Sequence, residues 1–211
     1  KMALQAMKGK VTATQTEDNW RGENCEEYDD SQDVCMDEKK DAVTAKLDIP
    51  KKFEDPTAAQ AFEDAFFEQY PQLRALKGKT FKRTVAGKAR GTEVASFEGD
   101  KVILKQEFFN TWQKHGLGTV NEIYTHELGH SLESNLGLIG IIAALEKNGV
   151  DPWNSSEFPF SEPNVTEAFA TVFAVLATGS TTDKQKVHAK WPGWANVVLN
   201  EVKSVGLSLH H

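Results

Sequence analysis

The sequence has little cysteine, no long apolar run and a deficit of basic charge. Its two cysteines, Cys25 and Cys35, are too few to define a redox compartment, and they allow one disulfide or none. The longest apolar run, residues 136–145, is about half of what a transmembrane helix requires, so it predicts a buried core helix and no membrane span. With 24 Lys and Arg against 31 Asp and Glu, the net charge of −7 disfavours a nucleic-acid partner.

The first quarter of the chain differs from the rest. Acidic side chains crowd between residues 17 and 41 and apolar ones are sparse, which is typical of a loosely ordered segment. A calcium loop is weakly supported, because residues 29–33 lack the spacing and the glycine of an EF-hand. A removable pro-segment is a further interpretation. We therefore expect residues 1–54 to form an acidic N-terminal segment and residues 55–211 to form the folded domain.

The domain begins with helical and then β signals. Apolar residues recur at helical spacing after Pro56, and the pattern stops at Pro71. The basic residues between 79 and 90 indicate a solvated turn. Two β-favouring runs within residues 94–104 flank Gly99-Asp100, which predicts a hairpin.

The strongest motif is His126-Glu127-Leu128-Gly129-His130. Thr119 and Glu122 form a capping-box pattern, so we expect the helix that carries the motif to begin there. Histidines four residues apart lie on one face of a helix, where both imidazoles can bind one Zn²⁺. The alternative is a surface helix with two incidental histidines.

Glu127 is the predicted catalytic residue of this motif. It follows the first histidine, so it can reach a water at the metal without binding the metal itself. Tyr124 lies two residues before His126 and therefore points to the opposite side of the helix, which favours a packing role.

The third ligand must come from elsewhere in the chain. An extended motif with a third histidine is excluded, because Glu133 and Leu136 occupy its glycine and histidine positions. The downstream acids that could complete a His₂Glu site are Glu157, Glu162, Glu167 and Glu201. We favour Glu167, since it opens a strong helical pattern with small residues that would let two helices lie close together. The alternative is that Glu167 only completes a capping box with Asn164.

The two motifs together resemble those of the gluzincins. His126-Glu127-Leu128-Gly129-His130, with Glu167-Ala168-Phe169-Ala170 after it, is most similar to the anthrax lethal factor and Pro-Pro endopeptidase group. The resemblance implies an α+β, zincin-like fold: a small antiparallel sheet whose edge strand holds the substrate, over two ligand-bearing helices. The hairpin at 94–104 would supply that edge strand.

One position departs from the group. The group usually carries an oxyanion-stabilising tyrosine seven residues before the ligand glutamate, where this sequence has Phe160. His188, His115 or a backbone N–H are the possible substitutes. Trp153, Phe158 and Phe160 lie between the two motifs, and they indicate either a substrate pocket or a packed loop.

These observations predict a zinc-dependent endopeptidase that acts on a peptide or protein substrate. His126, His130 and Glu167 are the expected metal ligands, Zn²⁺ the expected cofactor and Glu127 the expected general base. The main alternative is a non-catalytic zincin used for binding or structure, which Phe160 favours. A metallohydrolase acting on a different substrate is the third interpretation.

Overall fold

The computed structural model of the protein describes residues 56–88 and 93–209. These residues form a mostly helical α+β fold with one three-stranded sheet. The helices are α1 (Pro56–Gln69), α2 (Gln106–His115), α3 (Leu117–Leu136), α4 (Leu138–Lys147), α5 (Val165–Thr178), α6 (Thr181–Lys190) and α7 (Pro192–Ser204). Short 3₁₀ helices span Pro71–Leu76, Ser155–Glu157 and Pro159–Ser161. The acidic segment 1–54 and both cysteines lie outside the described residues.

Helix α1 forms where the apolar spacing predicted a helix. Phe62 and Phe66 are fully buried, and both rings contact the ring of Tyr124 edge to face, with centroids 4.9 and 4.6 Å apart. The helix ends before Pro71, which starts a 3₁₀ turn. Tyr124 is therefore a core residue, as its helical position predicted.

The sheet confirms the hairpin and corrects the predicted topology. Strand β2 (Ala95–Glu98) pairs antiparallel with β3 (Lys101–Leu104) across Gly99-Asp100. Strand β1 (Arg83–Ala86) pairs parallel with β3, so the strand order is β1-β3-β2 and the sheet is mixed rather than antiparallel.

The solvated turn predicted for residues 79–90 was wrong in its middle part. Thr84 of β1 is buried, and its hydroxyl lies 2.7 Å from both a Glu63 carboxylate oxygen and the Tyr124 hydroxyl. Basic residues flank this buried polar network, so the number of basic residues alone does not reveal that Thr84 is buried.

The composition of the apolar run at 136–145 predicted one buried helix, and this prediction was wrong. Gly137, with φ of 76°, ends α3, and α4 leaves at 88° to it. Ile141 and Leu145 are buried, whereas Leu138 and Ile139 are exposed. Within the described ranges no single helix is long and apolar enough to cross a membrane; α3 and α4 pass that test only as a bent pair.

Candidate metal centre

Helices α3 and α5 pack against each other closely enough to share a ligand site. A Cβ added at Gly129 would lie 2.7 Å from the Ala170 Cα and 2.9 Å from its carbonyl oxygen, so only glycine fits there. Glycine inside a helix costs about 1 kcal/mol relative to alanine. That cost is offset by the close approach of the two helices, which the small residues after Glu167 predicted.

The start of α3 differs from the prediction. The helix begins at Leu117, directly after Gly116, whose φ is 80°. Thr119 makes no cap, because its hydroxyl lies within the first turn, 3.5 Å from the His115 carbonyl oxygen. Gly116 ends α2 and opens α3, and no side-chain hydrogen bond caps the start of α3.

The structure brings His126, His130 and Glu167 together. The two Nε2 atoms lie 3.1 Å apart, and a carboxylate oxygen of Glu167 lies 3.2 Å from His126 Nε2 and 3.7 Å from His130 Nε2. In a tetrahedral site with metal–ligand bonds of about 2.0–2.1 Å, ligand atoms are separated by roughly 3.3–3.4 Å. The three atoms therefore lie close enough to hold one metal ion.

Hydrogen bonds on the far side of each imidazole fix which nitrogen faces the cluster. The Thr171 hydroxyl donates to Glu162 at 2.9 Å, so its oxygen is an acceptor for His126 Nδ1, 3.3 Å away. His130 Nδ1 lies 3.3 Å from a Glu133 carboxylate oxygen and donates to it. Both Nε2 atoms therefore turn their lone pairs towards Glu167, and a cation is required between three acceptors.

The electrostatics of the cluster show which side chain can carry a proton that meets this requirement. Burial lowers the pKa of His126 to about 4, so that ring is neutral. Burial also disfavours a charge on His130, but hydrogen bonds to Glu133 and Glu167 outweigh it and raise the pKa of His130 to about 10. Burial alone would raise the pKa of Glu167, yet its contacts with both histidines hold it well below its usual value. The cluster can thus hold either a proton on His130 or a metal ion.

Glu127 lies next to the cluster and is almost completely buried. Burial raises the pKa of Glu127 to about 7, and the nearby carboxylates of Glu93 and Glu167 add to the rise. His130 and the backbone of Phe97 act in the opposite direction. A carboxyl group that titrates near neutral pH is able to both accept and release a proton under ordinary conditions.

A cleft of about 420 Å³ opens beside these side chains. On one side it is bounded by β2, which has one sheet neighbour in the described part of the chain and so presents an edge. On the other side it is bounded by α3. Its lining consists of Glu93, Ser96, Phe97, Glu98, Gly99, Glu127, His130, Glu133, Ser134 and Glu167. The hairpin thus places an edge strand along the site, as the resemblance implied.

Two of the three aromatic residues between the motifs are packed, the third is exposed, and none of them lines this cleft. Phe158 is buried against Trp194, with ring centroids 5.6 Å apart, and Phe160 packs on Trp191 at 4.8 Å. Trp153 is exposed to solvent. Phe160, His188 and His115 are all absent from the residues that line the cleft.

The other three candidate acids lie outside the cluster. Glu157 accepts hydrogen bonds from the Asp151 backbone N–H and the Asn154 side chain, and Glu201 accepts one from Asn135 at 2.8 Å. Glu162 reaches Thr171 instead of the cluster, a role that sequence reasoning missed. Asn164 does cap α5, because its side-chain oxygen accepts from the backbone N–H of both Thr166 and Glu167.

Comparison with known proteins adds no assignment. No protein-family model, no curated protein and no solved structure matches this chain.

Proposed function

We propose that the protein is a zinc-dependent peptidase. The observation that carries the proposal is the convergence of three lone-pair donors, two imidazoles and one carboxylate, beside a buried glutamate and an open cleft. Two nitrogens and one oxygen at tetrahedral spacing suit Zn²⁺, and three protein ligands leave a position for water, as in catalytic rather than structural zinc sites.

The mechanism follows from the positions of the residues. Zinc bound there would supply Lewis acidity and a water acidified towards a pKa of about 7. Glu127 lines the same cleft, and its pKa of about 7 suits a general base that takes the proton of the attacking water. The same carboxyl group then gives that proton to the leaving amine. The imidazoles of His126 and His130 and the carboxylate of Glu167 hold the metal and take no part in proton transfer.

The cleft suits an extended peptide. A sheet edge has unpaired backbone groups that can hydrogen-bond to an extended chain, and β2 lies directly along the cleft. Besides the general base Glu127 and the ligand Glu167, three further carboxylates line it, those of Glu93, Glu98 and Glu133. We therefore expect cleaved peptides to carry basic rather than acidic side chains near the scissile bond.

The deciding experiment compares the wild type with Glu127→Ala on a peptide library, with zinc measured in both samples. We expect both proteins to bind one zinc per chain, because Glu127 is not a ligand. Wild type should cleave the library, whereas the variant should lose at least roughly 100-fold in rate, the lower range for general acid–base catalysis. Glu68→Gln, an exposed change on α1, serves as the matched control.

Two outcomes contradict the proposal. Cleavage that survives Glu127→Ala undiminished would assign the activity to another site. A wild type that binds zinc but cleaves nothing after long incubation would favour the non-catalytic metal-binding module instead. The second outcome has a structural basis, since neither a tyrosine nor a second histidine accompanies His130 in the cleft lining.

A further inference from the structure

Glu162 and Thr171 form a hydrogen-bonded chain that ends on His126. Thr171 lies one turn after Glu167 on α5, and its hydroxyl is 2.9 Å from Glu162 and 3.3 Å from His126 Nδ1. Both Glu162 and His126 are buried, so water does not compete for these contacts. The chain therefore connects a loop carboxylate to a proposed metal ligand.

The direction of this chain decides which nitrogen of His126 carries its proton. The Thr171 hydroxyl donates its hydrogen to a Glu162 carboxylate oxygen, and an ionised carboxylate only accepts hydrogen bonds. The hydroxyl oxygen is then free to accept only, and His126 must carry its proton on Nδ1. Without this acceptor, Glu167 at 3.2 Å would attract the proton to Nε2. A proton on Nε2 would block the lone pair that faces the cluster.

The loop that carries Glu162 is held in an uncommon conformation. Phe160 and Ser161 have φ of 58° and 56°, a region that non-glycine residues seldom occupy. Phe158 packs on Trp194 of α7, and Phe160 packs on Trp191, which directly precedes that helix. Glu162 itself is extended before Pro163 and points back to α5. The packing thus offsets backbone strain and delivers one carboxylate to Thr171.

We propose that Thr171 and Glu162 are positioning residues that set the tautomer of His126 and thereby the metal affinity of the site. Thr171 contacts the ligand directly, and Glu162 acts through Thr171. The metal-affinity part of this inference rests on the proposed zinc site, whereas the tautomer part concerns the protein without metal and does not depend on peptidase activity.

The test combines ¹⁵N NMR of the histidine rings in the metal-free full chain with Zn²⁺ titration against a chromophoric chelator. In the wild type we expect His126 to be protonated on Nδ1. Thr171→Val keeps the side-chain shape but removes the hydroxyl, so His126 should shift towards protonation on Nε2. Zn²⁺ affinity should fall roughly 10- to 100-fold, as for other outer-shell partners of metal ligands.

Rescue and coupling separate a positioning role from a merely structural one. Thr171→Ser retains the hydroxyl and should keep both the Nδ1 tautomer and the affinity. Glu162→Gln should weaken Zn²⁺ binding by a smaller factor in the wild type and by nothing further in Thr171→Val. Thr178→Val, a threonine on the same helix whose hydroxyl bonds to Thr125 and not to the cluster, is the matched control and should change neither readout.

Two results would overturn the proposal. One is an unchanged His126 tautomer together with an unchanged Zn²⁺ affinity in Thr171→Val. The other is a fully additive loss of Zn²⁺ affinity when Thr171→Val and Glu162→Gln are combined. If Thr171→Val does not fold, Thr171→Ser and Glu162→Gln still test the chain by the same two measurements. A wild type that binds no Zn²⁺ would refute the proposed function, while the NMR measurement would still test the tautomer.

Discussion

At the scale of single residues, the centre depends on how protons are distributed among buried groups. His126 is neutral, His130 is the more basic ring, and Glu167 stays ionised through its contacts with both. Burial raises the pKa of Glu127, whereas at Glu167 the contacts with the histidines outweigh the effect of burial. Two glutamates within one site therefore have opposite pKa shifts, which is the pattern expected where one binds a cation and the other moves protons.

The proposed ligand role of Glu167 can be separated from its place at the start of α5. Asn164 already caps the helix through its own side chain, and a capping box accepts glutamine as well as glutamate. Glu167→Gln should therefore leave folding intact but weaken Zn²⁺ binding by more than the roughly 10- to 100-fold typical of an outer-shell change. Calorimetric Zn²⁺ titration measures this, with Glu157→Gln as the control. Unchanged affinity in Glu167→Gln would show that its role is capping alone.

Glu127 makes a prediction about stability and pH in the protein without metal. Its pKa is about 7 in the folded chain against an ordinary value of 4.5, so between these values the folded state binds more protons than the unfolded state. The free energy of unfolding must then fall as pH rises through this window. Glu127→Gln removes that dependence, so its stability relative to the wild type should increase from pH 5 to pH 7.5 and level off above. The gain is at most about 3 kcal/mol, at about 1.4 kcal/mol per pKa unit.

Chemical denaturation at several pH values checks this, with Glu68→Gln as an exposed control that should show no such trend. A Glu127→Gln curve parallel to that of the wild type would mean that Glu127 has an ordinary pKa. That result would also remove the electrostatic argument for Glu127 as the general base.

At the scale of elements, the sequence predicted those features that depend on residues close together along the chain. The spacing of His126 and His130, the turn at Gly99-Asp100 and the regular apolar spacing of α1 each depend on residues within a few positions. The grouping of Glu167 with the histidines followed from chemical need rather than from spacing, since Glu167 lies 37 positions after His130 along the chain. The hydrogen-bonded chain of Glu162 and Thr171 was not predicted, because no local sequence pattern marks a contact between a loop and a helix face.

The errors at this scale have physical causes. Strand β1 was hidden by basic residues, because its burial depends on Glu63 and Tyr124 from two other elements. The apolar run was broken by Gly137, whose positive φ permits the 88° bend before α4. The predicted cap at Thr119 was displaced by Gly116, which both ends α2 and starts α3.

The contact of α3 with α5 predicts an unusual effect of glycine substitution. Gly129→Ala would place a methyl group 2.7 Å from the Ala170 Cα, so the helices must separate. We expect a loss of about 1–3 kcal/mol in unfolding free energy from overpacking, together with weaker Zn²⁺ binding as Glu167 moves away from the histidines. Gly118→Ala, on the same helix in open space, is the matched control and should stabilise by up to about 1 kcal/mol.

Thermal denaturation and Zn²⁺ titration of both glycine variants check this prediction. Equal stability gains in the two variants would contradict the close packing of the helices. A destabilised Gly129→Ala protein with unaltered Zn²⁺ affinity would show that the centre does not depend on the separation of α3 and α5.

At the scale of the whole molecule, the centre joins two helices that are far apart in sequence. Both α3 and α5 contribute to the core, through buried residues such as Leu128, Leu132, Phe169 and Phe173. A ligand that binds the folded state but not the unfolded chain stabilises the fold by mass action. A metal held by both helices should therefore act on the stability of the whole domain, and not only on the local geometry of the cleft.

This leads to a prediction in which a proton and a metal compete for one centre. With the pKa of His130 at about 10, the protein without metal carries a proton there at neutral pH, and Zn²⁺ must displace it. We expect about one proton to be released per zinc bound near pH 6, where a zinc-bound water with a pKa of about 7 still holds both of its protons. Affinity should then rise about tenfold per pH unit, and zinc at 100 times its dissociation constant should add about 2.7 kcal/mol to the stability. Titration calorimetry in buffers of different ionisation enthalpy measures the proton, and denaturation with and without zinc measures the stability. Ca²⁺, which prefers an all-oxygen shell, is the control ion and should do neither. Zinc binding without proton release would show that His130 is neutral, and release that persists in His130→Ala would assign the proton to another group.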